Sequence, residues 1–291
     1  MEILNSKKIR FLENTACLLR QDVIEMILNA GSGHPAGSLA MADIFSALYF
    51  YILKHNPKNP DWPERDRLVL SNGHICPVQY AALARAGYFP VEELKTLRKL
   101  NSRLQGHPHR KALPGIETSS GPLGEGLSQA VGMALAARLD SAVNSPRAKY
   151  QVYCVMSDAE HDCGNTWEAI MLAGKYKLGN LTAIIDRNNI QSDGFTEDIM
   201  PLESLREKYE AFNWHVLEMD GHNIEEFIGA ANEARAIFEK PTVIIAHTIA
   251  GKGVDFMEFD YHWHASPLNK KQAEEALKEI KTLKGKIEET D

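Results

Sequence analysis

Five short apolar runs rich in β-branched residues recur along this chain of 291 residues, and no other feature constrains the fold as strongly. They are RLVLS (67–71), YQVYCVM (150–156), LTAIIDR (181–187), WHVLEMD (214–220) and PTVIIAHT (241–248). Segments such as SQAVGMALAARLD and TWEAIMLAGKYKL, with apolar residues at helical spacing, lie between them. Continuous apolar strands that alternate with helices are typical of a parallel sheet covered on both faces. The sequence therefore predicts an α/β fold: a doubly wound, mostly parallel sheet flanked by helices.

Composition and charge narrow the class of function. The chain has 44% apolar residues, 24% charged residues and a net charge of −7, so we expect a globular protein that does not bind nucleic acid. Four cysteines without CxxC spacing indicate a reducing compartment, with neither a disulfide framework nor a zinc site. The N-terminal apolar residues recur at helical spacing, and no run reaches the ~18 apolar residues that span a bilayer. We expect a cytoplasmic protein that does not associate with a membrane.

Two polar residues follow neighbouring strands of the predicted sheet. Asp158 and Asn188 are 30 residues apart, which is about the length of one βαβ unit. A right-handed crossover makes the two strands parallel, so both residues reach the carboxyl edge, where open α/β folds bind ligands. Carboxylate and amide oxygens suit Mg²⁺, which usually shares its six ligands with phosphates and water. Either residue alone is better explained as an N-cap or a turn residue, but the pair at this spacing favours a metal–phosphate site.

Glycine-rich turns add further candidates. GPLGEG (121–126) crowds glycines either where a backbone approaches a flat heterocycle or where the next helix starts. SGHP (32–35) and QGHP (105–108) each hold a histidine on a glycine–proline turn, an exposed and rigid position for a polar side chain. Neutral imidazoles donate and accept hydrogen bonds and can move protons near neutral pH.

The chain resembles the transketolases in five blocks that occur in the family's order and cover nearly the whole sequence. They are SGHPAGSLAMADI (32–44), DRLVLSNGHICPVQYAAL (66–83), LQGHPHRKALPGIETSSGPLGEGLSQAVGMALAARL (104–139), SDAEHDCGNTWEAIMLAGKYKLGNLTAIIDRNNIQSDG (157–194) and HTIAGKGVDFMEFDYHWHASPL (247–268). One such block is weak evidence, whereas five in order are specific. The blocks match the amino-terminal third to half of a full transketolase. The resemblance implies that 1–291 is a single thiamine diphosphate-binding domain, with the pyrimidine-binding and C-terminal domains on a partner chain.

The resemblance also implies a cofactor site. Asp158, Asn188 and the carbonyl of Ile190 would hold Mg²⁺, with Ca²⁺ or Mn²⁺ as possible substitutes, and the backbone of Ala159 would bond a diphosphate oxygen. Residues of the glycine-rich block would lie beside the cofactor rings, and these are Gly121, Pro122 and Leu123.

Four histidines receive roles from the same resemblance. His74 and His264 would reach the diphosphate and the reactive face of the cofactor. His34 and His107 would line the substrate entrance and bond sugar hydroxyls. His34, His107 and His264 are therefore the catalytic candidates.

The implied activity is the transfer of a two-carbon ketol group from a ketose phosphate to an aldose acceptor, with pentose phosphates as the default substrates. The C-terminal transketolase subunit would complete an α2β2 heterotetramer.

Deoxyxylulose-phosphate synthases and 2-oxo-acid dehydrogenases use the same metal pair, but the paired GHP turns, LSNGH and WHASPL favour transketolase. A non-catalytic cofactor-binding subunit stays open because Ser157 and Ala159 stand where the family has glycine, and Cys163 where it often has glutamate. A side chain at 157 or 159 would cost about 1 kcal/mol if that position needed a positive φ.

Overall fold

The computed structural model describes residues 4–141 and 148–288. The strands within these residues are β1 (Arg67–Leu70), β2 (Val152–Ser157), β3 (Leu181–Arg187), β4 (Ile190–Gln191), β5 (Gly194–Phe195), β6 (His215–Asp220) and β7 (Thr242–His247). One five-stranded sheet has the order β1-β2-β3-β7-β6, and its neighbouring strands are all parallel. The strands β4 and β5 form a separate antiparallel hairpin. The five predicted runs are the five strands of the sheet, which confirms the predicted fold class.

Helices cover both faces of the sheet. They are α1 (Ser6–Ala30), α2 (Pro35–Ala40), α3 (Ala42–Ala47), α4 (Cys76–Arg85), α5 (Glu125–Leu139), α6 (Gly164–Tyr176), α7 (Thr196–Ile199), α8 (Leu205–Ala211), α9 (Ile224–Ala236) and α10 (Lys270–Glu288). The predicted N-terminal amphipathic helix is α1, and the apolar residues at helical spacing that predicted it are fully buried, namely Leu12, Leu19, Val23 and Ile27. None of the described helices is long and apolar enough to cross a membrane.

Two apolar cores lie on opposite sides of the sheet, because successive strand side chains point to opposite faces. On β2, Tyr153 and Val155 pack into one core together with α1, α3, α4 and α9. Cys154 and Met156 pack into the other core with α5 and α6. Cys154 is fully buried, as the sequence predicted.

The strand order creates a crevice at the carboxyl edge. The chain moves from β2 to β3 through α6 on one face, whereas it returns from β6 to β7 through α9 on the other face. Such a reversal of direction is the switch point where open α/β sheets bind ligands. Ser157 pairs in register with Asp186, so the ends of β2 and β3 lie side by side next to this crevice.

Candidate active site

Asp158 is the first residue after β2, and its carboxylate is fully buried. Its Oδ2 accepts the backbone N–H of Asn189 at 2.9 Å and Arg187 Nη1 at 3.0 Å. Its Oδ1 accepts the N–H of Ala159 at 2.8 Å, so the amide predicted to meet a diphosphate is engaged by this carboxylate. The Asn189 bond joins the two strand tips that the sequence analysis expected to meet.

The loop after β3 turns sharply between the other two predicted metal ligands. Asn189 has φ +63°, a left-handed conformation that asparagine adopts more readily than most residues. The turn lets Asn188 Oδ1 accept the N–H of Ile190 at 2.9 Å. Asn188 Nδ2 donates to Asp186 Oδ2 at 2.9 Å, and Asp186 Oδ1 accepts the hydroxyl of Thr248 at 2.5 Å. The tips of β3 and β7 are thereby tied together.

The donor set at these tips fits a magnesium ion better than a softer metal. Within the described ranges no three His, Cys, Asp or Glu side chains form a metal cage. One carboxylate, one amide and one backbone carbonyl are hard oxygen ligands, and Mg²⁺ commonly completes such a set with phosphate and water. Burial raises the pKa of Asp158 to about 6 although Arg187 lowers it, so a further cation would favour the ionised carboxylate.

Arg187 was not singled out in the sequence, although it directly precedes the predicted metal ligand Asn188. Its guanidinium is buried, and it donates to Asp158, Thr196, Glu197 and Glu203. These acceptors use all of its five N–H groups. Arg187 therefore orients the Asp158 carboxylate and has no donor to spare for a ligand.

The two departures from glycine beside Asp158 do not strain the backbone. Ser157 has φ −87°, and Ala159 is not one of the six non-glycine residues with positive φ in the described part of the chain. The penalty of about 1 kcal/mol for a side chain in a left-handed conformation does not arise at either position.

Glu160 joins three segments around the site and was not singled out in the sequence. Its side chain is fully buried. Oε1 accepts the Ser71 hydroxyl at 2.5 Å and the Gly124 N–H at 2.8 Å, while Oε2 accepts the Ser157 N–H at 2.8 Å. The end of β1, the glycine-rich loop and the Asp158 loop therefore share one carboxylate. A Cβ on Gly126 would lie 2.4 Å from the Cβ of Ser71, so this approach requires glycine.

The glycine-rich loop, which precedes α5, lies close to one of the predicted histidines. A Cβ built on Gly121 would lie 3.9 Å from the His107 ring. Pro122 is exposed and the side chain of Leu123 is 37% exposed. These two side chains are free to contact a ligand or another chain.

All four predicted histidines come together, although they belong to four separate segments of the sequence. The ring centroid of His34 lies 5.0 Å from that of His74, 5.4 Å from that of His264 and 6.4 Å from that of His107. The rings of His74 and His264 are 5.1 Å apart. His74 lies four residues beyond the end of β1, so the cluster is at the carboxyl edge of the sheet, as Asp158 is.

These imidazoles are held in the neutral form. Burial, and then the neighbouring His264, Arg98 and His107, lower the pKa of His34 to about 4. Burial also lowers the pKa of His74, of His107 and of His264. Neutral imidazole can both donate and accept a hydrogen bond, which the protonated ring cannot do.

Unpartnered polar atoms indicate that a ligand belongs here. The Nδ1 of His34 is buried without a hydrogen-bond partner, as are both amide atoms of the fully buried Asn72, two residues before His74. Buried polar groups are nearly always hydrogen-bonded in folded proteins. A polar cofactor or substrate would satisfy these atoms.

His161 supports the Asp158 loop. Its Nδ1 lies 2.7 Å from the Asp158 carbonyl, which can only accept, so Nδ1 carries the proton. Its Nε2 then accepts the Tyr209 hydroxyl at 2.8 Å. Burial lowers the pKa of His161 to about 4, which keeps this arrangement at neutral pH.

An open parallel sheet that carries hard oxygen ligands and neutral histidines at its carboxyl edge defines a class of α/β domain that binds a phosphate-bearing cofactor. The family model described as "Transketolase, thiamine diphosphate binding domain" matches residues 12–285. The chain belongs to the transketolase family, as its thiamine diphosphate-binding domain.

The relatives are of two lengths. The chain is 43% identical to the 6-deoxy-6-sulfo-D-fructose transketolase subunit SqwG of Clostridium sp. (strain MSTE9), over 92% of this chain and 96% of that protein. It is 40% identical to one subunit of the apulose-4-phosphate transketolase of Phocaeicola vulgatus, over 92% of this chain and 93% of that protein. The transketolase of Mus musculus is 38% identical, and the chain spans only 43% of it.

Solved structures agree with the fold. The transketolase of Campylobacter jejuni superimposes with a TM-score of 0.87 at 35% identity, over 99% of this chain and 46% of that chain. The transketolase of Leishmania mexicana gives 0.86 at 32% identity, over 96% of this chain and 45% of that chain. The chain therefore spans less than half of the transketolases that consist of one long polypeptide.

Proposed function

We propose that this chain is the N-terminal subunit of a split transketolase, which transfers a two-carbon ketol group from a ketose phosphate to an aldose acceptor with thiamine diphosphate and Mg²⁺. The observation that carries the proposal is that the Asp158 loop and a cluster of four neutral histidines lie at the same edge of the sheet. Family membership supplies the reaction class. Two relatives of similar length are named as transketolase subunits, which supports a division of the enzyme between two chains.

In this proposal Asp158, Asn188 and the Ile190 carbonyl hold Mg²⁺, or Ca²⁺ or Mn²⁺ in its place, and the metal holds the diphosphate. The adjacency of the strand tips and the hard oxygens of the three ligands support these roles. The N–H of Ala159, which donates to Asp158 Oδ1, would be shared with a diphosphate oxygen. Arg187 would keep the Asp158 carboxylate ionised and oriented toward the metal.

The histidines would contact the cofactor from its diphosphate to its reactive carbon, and the substrate beyond it. When bound, thiamine diphosphate supplies the carbon nucleophile that takes up the two-carbon unit. His74 and His264 would face the diphosphate and the reactive carbon, and His34 and His107 would hold the sugar hydroxyls. The unpartnered Nδ1 of His34 supports this role, because a neutral nitrogen can bond a hydroxyl and receive its proton. Residues 121–123 would line the cofactor rings.

The partner would supply the pyrimidine-binding and C-terminal domains, and two copies of each chain would form an α2β2 heterotetramer in the cytoplasm. Exposed apolar side chains on the glycine-rich loop, on α6 and from β5 to the end of α7 support such contacts. They are Leu123, Met171, Leu172, Phe195, Ile199 and Met200. The two relatives of similar length are named for different sugars. Pentose phosphates are therefore only the default substrates of the assay below, and the site residues are not used to infer them.

The direct test is reconstitution. The purified chain is assayed alone and after mixing with a separately encoded C-terminal transketolase subunit, with ketose phosphates or pyruvate as donor and with Mg²⁺. We expect negligible turnover by the chain alone, ketol transfer from a ketose phosphate in the mixture, and no reaction of pyruvate. Robust turnover by this polypeptide in isolation, or cleavage of pyruvate in preference to the sugar, would overturn the proposal.

A non-catalytic cofactor-binding subunit is the second candidate, favoured by Cys163 at the position where the family often has glutamate. Calorimetric titration of the reconstituted complex with thiamine diphosphate, with and without Mg²⁺, separates the two. A catalytic subunit requires Mg²⁺-dependent affinity that Asp158→Asn weakens. Unchanged affinity after chelation of the metal would favour the non-catalytic subunit.

A further inference from the structure

Arg98 lies between the two glycine–histidine–proline turns and contacts both. Its Nη1 donates to the hydroxyl of Ser32 at 3.3 Å, two residues before His34. Its Nη2 donates to the carbonyl of Gly106 at 3.5 Å, one residue before His107. One guanidinium therefore spans the two segments that carry the proposed sugar-binding histidines.

The chain fixes this arginine in position from both sides. Arg98 has φ +57°, and its own N–H donates to the Leu104 carbonyl at 2.9 Å. A left-handed arginine carries a conformational cost, so its retention needs a compensating contact. Gly106 supplies that contact, because a Cβ there would lie 2.9 Å from Nε and 3.0 Å from Cζ of Arg98. The guanidinium lies directly against the backbone of the turn, where only glycine leaves room.

The positive charge of Arg98 acts on the same two rings. Its two hydrogen bonds are long and go to neutral oxygens, so they do not neutralise the charge. Burial lowers the pKa of His107, and Arg98 lowers it further. The pKa of His34 is lowered by burial, by His264, by Arg98 and by His107 in that order. A ring kept neutral can accept a hydrogen bond from a sugar hydroxyl.

We propose that Arg98 is a positioning residue of the active site, which braces the two histidine turns against each other and places a positive charge beside both imidazoles. This inference rests on the proposed function, because it gives His34 and His107 their roles as ligands of the sugar hydroxyls. Arg98 itself acts through the turns and the two rings. Lysine at this position would keep the charge but could not reach both turns with a planar fork.

The first test does not need the cofactor, the partner or activity. Ring signals of His34 and His107 are assigned by His→Gln variants and titrated by NMR in the full cofactor-free chain. Arg98→Gln is expected to raise the pKa of both rings, and Arg98→Lys to leave both close to their starting values. The ring of His215, on β6 and hydrogen-bonded to Glu233 at 2.9 Å, is the control and should give the same titration curve in all variants. Unshifted titrations of His34 and His107 in folded Arg98→Gln would overturn the electrostatic part.

The second test uses the reconstituted enzyme and separates bracing from charge. Arg98→Lys and Arg98→Gln should both lower kcat/KM, by about 10²-fold if a turn moves by about 1 Å. Only Arg98→Gln should also shift the acidic limb of the pH profile to higher pH. Full activity of Arg98→Lys would overturn the bracing role.

If the wild-type complex itself is inactive, the proposed function fails while the NMR titrations still decide the role of Arg98. Should Arg98→Gln not fold, Ser32→Ala removes one of the two bracing bonds and is expected to lower kcat/KM without shifting the pH profile.

Discussion

Asn189 sets the geometry of the metal end, although it is not one of the proposed ligands. Its left-handed conformation lets Asn188 Oδ1 accept the Ile190 N–H, and its own N–H donates to Asp158. Asn189→Gly keeps this conformation available, whereas Asn189→Val forces a β-branched residue into it at about 1–3 kcal/mol. We expect the valine variant to bind thiamine diphosphate with Mg²⁺ at least about tenfold more weakly. The glycine variant should bind thiamine diphosphate with an affinity close to that of the wild type.

Calorimetry of the two variants in the reconstituted complex checks this expectation, and urea unfolding reports whether each one folds. Equal affinities for the valine and glycine variants would show that the turn does not set the metal geometry.

At the residue scale the sequence predicted those side chains whose positions follow from strand order. Asp158 and Asn188 were placed because parallel strands end at one edge of a sheet, and the four histidines because their blocks resemble a family. Glu160 and Arg98 were missed. The bond between Glu160 and Ser157 belongs to a local Ser-x-x-Glu capping box. The other partners of Glu160 lie at 71 and 124, and those of Arg98 lie at 32 and 106. No local pattern in the sequence predicts these contacts.

At the scale of elements, the Glu160 carboxylate holds three loops together through hydrogen bonds. Loss of its carboxylate would leave the Ser157 and Gly124 amides without their acceptor, and each unsatisfied buried group costs about 1–3 kcal/mol. Glu160→Gln keeps the shape but offers an NH₂ group to one of these N–H donors, so we expect a loss of about 1–3 kcal/mol in the free energy of unfolding. Denaturant titration measures it.

The matched control for that experiment is Glu168→Gln on the exposed face of α6, which should change the free energy of unfolding by no more than about 0.5 kcal/mol. Equal stabilities of the two variants would mean that the Glu160 hydrogen bonds do not hold the loops together.

The long elements were predictable and the short ones were not. The runs that became β1, β2, β3, β6 and β7 are continuous apolar segments, because both faces of the sheet are covered. The hairpin of β4 and β5 and the single turn of α7 are too short to carry a period. The charged C-terminal segment (269–291) has a sparse apolar stripe that predicts a helix, either as a solvated cap or as the start of a linker. It is α10, and three of its residues are buried against the core, namely Ala273, Ala276 and Ile280.

At the scale of the whole molecule, exposed large apolar side chains are spread over the described surface, and two of them are neighbours on α6. Met171 is 55% exposed and Leu172 is 40% exposed on α6, whose N-terminus follows the Asp158 loop. Exposed apolar neighbours of this kind are typical of a surface that another chain covers. In the proposed α2β2 assembly, which has its active sites between chains, this surface would contact a neighbouring subunit.

Charged substitutions on α6 test that assignment. The double variant Met171→Glu, Leu172→Glu should prevent assembly with the C-terminal subunit into a heterotetramer, because two carboxylates would be desolvated in the contact. Light scattering of the mixed subunits measures the mass of the assembly, and circular dichroism of the free chain verifies its fold. Leu139→Glu is the matched control, since Leu139 is 84% exposed at the far end of α5, about 20 Å from the glycine-rich loop along the helix. A double variant that assembles as fully as the Leu139 variant would place the contact between subunits on another face.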